Sequence, residues 1–144
     1  MPNINNNQTS FNEVLTLIQK AKRKAYQQAN TITMELFWDV GDYVSNKVSK
    51  ARWGKGVVEE LAEYIKVNDP TIGGFSPRNI WRMKQFYETY KDNKKLSPLV
   101  TQVSWTNNLI IMSGRKSDAE KEFYLRQTIQ NNYSKREYDN LTYF

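Results

Sequence analysis

The 144-residue chain contains no cysteine and no histidine. Without cysteine there are no disulfides, which fits a reducing compartment. The double absence also excludes zinc sites built from Cys and His, and it removes Ser-His-Asp and Cys-His nucleophile systems. Glycine and proline are scarce, at 6 and 4 residues, and are expected at the ends of elements. The longest apolar run is Leu109-Ile110-Ile111-Met112, far short of a membrane span. The opening MPNINNNQTS is polar and has no apolar signal core. These absences together predict a soluble, cytoplasmic protein with no membrane partner. Carboxylates are scattered rather than clustered, so no catalytic residue, metal ligand or cofactor is expected. The chain reads as a non-enzyme.

What is present is aromatic and basic. Aromatics make up 13% of residues, hydrophobics 39%, and the net charge is +6 with a pI near 9.4. That apolar content builds a core, and the length suits one domain. The charge favours an anionic partner, and it is uneven. Between Ser76 and Lys95 stand Arg78, Arg82, Lys84, Lys91, Lys94 and Lys95 against Glu88 and Asp92; other basic blocks are Lys20–Lys24 and Lys47–Lys55.

Periodicity predicts an all-α, compact multi-helix domain over residues 10–144, preceded by an Asn-rich mobile arm at 1–9. A helical stripe runs from Phe11 to Val44 and beyond. Unbroken over 11–48 it would be about 57 Å long, against a radius of gyration of about 14–15 Å for a domain of this size. A long first helix that bends or projects is therefore expected, carrying a homodimer or inter-domain contact, with Asn30-Thr31 as its weakest point. A second helix follows Gly56 and ends near Pro70. Ser76 and Pro77 start a third, ending around Lys91–Lys95. Residues 99–103 suit either a short helix from Pro98 or a β wing. Ser104 caps a helix to Met112, and two capping boxes, Ser117–Glu120 and Ser134–Glu137, start helices at about 118–131 and 135–142.

The third helix has two faces. Ile80, Met83, Phe86, Tyr87 and Tyr90 share one side, and Arg78, Trp81, Arg82 and Gln85 the other. An apolar back with an Arg/Gln/Trp front suits nucleic-acid contact; it also suits a solvated surface helix. Trp81 can stack on a base or cover a neighbouring helix. Gly54-Lys55-Gly56, at a helix start, can hold a DNA phosphate or form a turn with an exposed lysine. Trp105 reads as core. Asn107-Asn108 suit an adenine edge, a cap or a solvent-facing position.

The motifs WGKGVVEELA, GFSPRNIWRMKQFYETY, VSWTNNLIIM and KEFYLRQTIQNNYSKREYDNL occur in this order in the N-terminal domain of the bacterial YhcG family, which the chain resembles over roughly residues 11–142. The resemblance implies a helix-turn-helix-like DNA-binding module that serves a C-terminal PD-(D/E)XK nuclease domain, a targeting half whose catalytic half lies elsewhere. Where the family commonly has Ser-His after the tryptophan, this chain has Thr106-Asn107. Carried over by motif, the binding role falls on Gly54, Lys55, Arg78, Asn79, Trp81 and Arg82, with Asn79 also suited to locking the turn. The expected interface is then Lys55, Arg78, Asn79, Trp81, Arg82, Lys84 and Gln85, with Gly54, Lys55 and Gly56 as the phosphate contact. The alternative is an interaction or dimerisation module that touches no nucleic acid.

Overall fold

The computed structural model describes residues 2–50 and 52–131, with side chains from residue 7 onward. Among the described residues there are six helices and no strand: α1 (Pro2–Ser49), α2 (Lys55–Asn68), α3 (Pro77–Tyr90), α4 (Ser97–Val100), α5 (Trp105–Met112) and α6 (Asp118–Asn131). The all-α expectation holds. The helix expected at 135–142 lies outside the described residues.

Short-range rules account for most helix starts. Ser76 and Ser104 accept hydrogen bonds from the Asn79 and Asn107 backbones at 3.1 and 3.3 Å. The Ser117–Glu120 box closes in both directions at 3.1 Å, hydroxyl to backbone and carboxylate to backbone.

One expectation is corrected, and two alternatives are decided. The helix does not wait for Ser10 but begins at Pro2, so the segment read as an arm is its first turns. The long first helix is met as expected, running unbroken through Asn30-Thr31. Asn30 turns its amide outward and donates to the Thr101 and Val103 carbonyls at 3.2 and 3.3 Å, a tertiary use that offsets its poor helix propensity. The β wing is absent. Asn93 Oδ1 accepts from the Lys95 and Leu96 backbones, Pro98 enters the first turn of α4, and Leu96, Val100 and Val103 all face the core. Their spacing of four and three is helical, not alternating.

The core lies where the second half of α1 crosses α3. Met34 and Phe37 meet Met83, Phe86 and Tyr90, closed by Leu96, Val100, Val103, Ile111, Met112 and Leu125. A smaller cluster of Val44, Val58, Ala62 and Ile80 joins α1, α2 and α3. The crossing rests on a glycine inside a helix, against the expectation that glycines sit at element ends. A Cβ on Gly41 would overlap the Met83 carbonyl oxygen and lie 2.7 Å from its carbon. The two backbones touch there.

Tyr90 is fully buried and its hydroxyl finds no hydrogen-bond partner among the described residues. Burial, reinforced by Asp118, pushes its pKa up to about 12. A folded-state value above the unfolded one gives stability that is whole below about pH 10 and fades as pH climbs towards 12. Tyr90→Phe is therefore expected to match or exceed the parent's stability at pH 7, because it deletes an unpaired hydroxyl. It is also expected to move the alkaline unfolding midpoint upward in a circular-dichroism pH titration. A Tyr90→Phe protein that unfolds earlier in base would contradict this.

Candidate nucleic-acid interface

The turn before α3 is assembled around one side chain. Gly74 adopts φ +89°, a conformation that other L-residues rarely take. Asn79 Nδ2 donates to the Gly74 carbonyl at 2.6 Å. Asn79 Oδ1 accepts from the Trp105 indole N–H at 2.8 Å. Trp105 in turn packs edge-on against Phe37 and Phe86, with centroids at 4.9 and 5.3 Å. Asn79 thus ties the turn, α3 and α5 together. Each end of its amide makes one internal hydrogen bond, which is the turn-locking role that the sequence also allowed for Asn79.

The front of α3 divides into committed and open side chains. Arg78 and Gln85 are exposed and Arg82 half-buried; among the described residues no ion pair or side-chain hydrogen bond engages any of the three. They sit on successive turns of one face, so neighbouring Cβ atoms are about 5–6 Å apart. Trp81 is half-buried against the Val44–Ile80 cluster, and the Lys84 ammonium stands 5.9 Å from its ring. Lys84 pairs with Glu88 at 2.9 Å. Partial burial works to raise the Glu88 carboxyl, but the Ser45 hydroxyl, at 2.7 Å, and Lys84 hold it below the ordinary glutamate value. The expected contribution of Lys84 is therefore reduced. Its charge is answered inside the fold, a pairing signalled by the i,i+4 spacing alone.

At the start of α2, Gly54 is the N-cap and offers no side-chain cap. Lys55 is exposed and, among the described residues, unpaired. Open space surrounds the Cβ positions of Gly54 and Gly56, so internal packing does not require glycine at either, and the backbone amides there are open to approach. Trp53 packs on the same small cluster as Trp81, which connects this turn to the α3 front through a shared core.

Sequence reading missed Gly41 and Ser45. A glycine in the middle of an apolar helical stripe was the available signal for the first; nothing local marks the second. Asn108 is fully buried, its amide within 2.9–3.2 Å of the Val100, Val103 and Ser104 carbonyls, so it cannot reach an adenine edge. Among the described residues, no group of three or more acidic, His or Cys side chains is placed to hold a metal ion, and no helix is long and apolar enough to cross a membrane.

A family model described as the DUF1016 N-terminal domain matches residues 13–142. The chain belongs to that family. The DUF1016 N-terminal domain is the same domain as the N-terminal domain of the YhcG family, so the resemblance in the sequence stands. Searches of curated proteins and of solved structures found no match.

Proposed function

We propose that this DUF1016 N-terminal domain is a helix-turn-helix-like module that binds duplex DNA through the front of α3. The observation that carries the reading is the contrast between the two sides of that helix. Its back is locked into the core through Ile80, Met83, Phe86 and Tyr90, while Arg78, Arg82 and Gln85 stand forward without internal partners among the described residues. Guanidinium and amide groups on a rigid helix are the groups that address phosphates and purine edges. Lys55 and the open backbone of Gly54 and Gly56 add a second phosphate contact. The net charge of +6 supplies the long-range attraction. Trp81 braces the helix from its flank and Asn79 sets its angle. The family resemblance adds that such a module would deliver a nuclease to its substrate.

The test is fluorescence anisotropy with a labelled duplex over a salt series. Replacing Arg78 and Arg82 together by Ala is expected to weaken binding about 10- to 100-fold and to flatten the log–log salt slope by about 2. Both side chains lie outside the core, so the circular-dichroism spectrum should not change. Equal affinity and an equal slope for parent and double variant would refute the interface.

A further inference from the structure

Among the described residues nothing covers the front half of α1. From residue 7 to residue 24 nearly every side chain is exposed, and the fully buried positions begin at Met34. The helix extends about 42 Å ahead of Asn30, which is anchored to the turn between α4 and α5. Helices of ordinary composition are marginal in water without packing, yet this one carries a coiled-coil pattern. Phe11, Val14, Ile18, Ala21 and Ala25 repeat at alternating spacings of three and four, the a and d positions of a seam. Phe11 is 70% exposed, Val14 54% and Ile18 47%, and Leu15 and Leu17, at 49% and 67%, widen the stripe. These side chains present on the order of 500 Å² of apolar surface, the size of the largest patch on a typical monomer.

We infer that the stripe is the docking surface for a second copy of this chain, the two helices running antiparallel and crossing near Ile18. Size and charge both select that occupant. Bulk sits at one end of the seam, at Phe11 and Val14, and small residues at the other, at Ala21 and Ala25. An antiparallel copy sets large against small in successive layers, as close packing requires. A parallel copy would stack bulk on bulk. It would also lay the block Lys20, Lys22, Arg23, Lys24 beside its equivalent. Reversal sends the two basic blocks to opposite ends, each facing the stretch that holds Glu13, the one carboxylate between residues 7 and 34. The stripe is thus complementary to itself under a two-fold axis, and the pairing closes at two copies. Two such stripes remove about 1,000 Å² from water, the lower bound for a specific interface. This inference does not depend on the DNA reading.

The experiment uses the full chain. Size-exclusion chromatography with light scattering at about 100 μM is expected to give twice the monomer mass. Phe11→Glu with Ile18→Glu is expected to give the monomer mass and a thermal midpoint that no longer rises with protein concentration, as the parent's should. The absence of native cysteine makes single labels unambiguous. A nitroxide at Gln8→Cys should report a spin–spin distance of about 30 Å or more, and one at Gln19→Cys about 20 Å or less. Short distances at both positions would overturn the antiparallel arrangement. A parent protein that stays monomeric, including one that pairs only with an acidic helix from another protein, would overturn the self-pairing.

Discussion

Gly41→Val is expected to lower the thermal midpoint by about 10 °C or more, and Gly41→Ala by about half as much. On an isolated helix the signs would differ. Alanine is a better helix former than glycine by about 0.8–1 kcal/mol, so an exposed glycine in mid-helix would be improved by the change. Here the added methyl falls on the Met83 carbonyl, with the Tyr87 Cβ also only 3.1 Å away. Neither obstacle is the loose end of a side chain, so α1 and α3 must separate. Overpacking of this kind costs about 1–3 kcal/mol, occasionally more, which exceeds the propensity gain. Valine adds two further methyl groups and has no comparable helical advantage. At this chain length about 2–4 °C are lost per kcal/mol. Because Phe86 and Tyr90 ride on α3, the loss reaches the main core as well as the crossing. Thermal unfolding followed by circular dichroism decides the matter. A Gly41→Ala protein that melts higher than the parent would show that the backbones do not touch.

Asn79→Ala is expected to lower stability by about 2–3 kcal/mol and to weaken DNA binding, although the side chain touches no ligand in this reading. The substitution removes two hydrogen bonds, at 2.6 and 2.8 Å. It leaves the indole N–H of the half-buried Trp105, packed against Phe37 and Phe86, without its acceptor, and an unmet donor in a buried setting costs about 1–3 kcal/mol. The Gly74 turn loses its clamp, so the entry angle of α3 relaxes and Arg78, one residue away, loses its fixed position. A double-mutant cycle between Asn79→Ala and Trp105→Phe separates this account from a plain loss of local turn structure. The two changes should be coupled by about 0.5–3 kcal/mol. Additive effects would mean that the indole contact contributes nothing. Asn79→Asp gives a further check. It keeps an acceptor for the indole but sets a carboxylate against the Gly74 carbonyl, so it should retain the coupling while still destabilising the turn.

Several features of this protein were readable because their causes are local. The Ser117–Glu120 box, the Ser76 and Ser104 caps and the Pro77 start each depend on residues within one turn of one another, and α6 begins where its capping box places it. The two faces of α3 follow from a 100° step per residue. The Lys84–Glu88 pair is equally local, an i,i+4 spacing on one face of α3. Other features had no local cause. Asn30 is a weak helix former in sequence and an anchor in space, because the carbonyls it binds belong to residues more than 70 positions away. Ser45 meets Glu88 only because α1 crosses α3. Trp105 was placed in the core from its spacing, but its indole partner could not be.

The sequence by itself determined the all-α class, the positions of most helix starts, the sidedness of α3 and the family to which the chain belongs. It did so because hydrophobic periodicity, capping and motif order are written in neighbouring residues. The tertiary structure alone decided which cations remain open, which polar groups are consumed as struts, and why a glycine must occupy position 41. Those outcomes depend on backbone approach and burial between helices distant in the chain, and such distances exist only once the helices have packed.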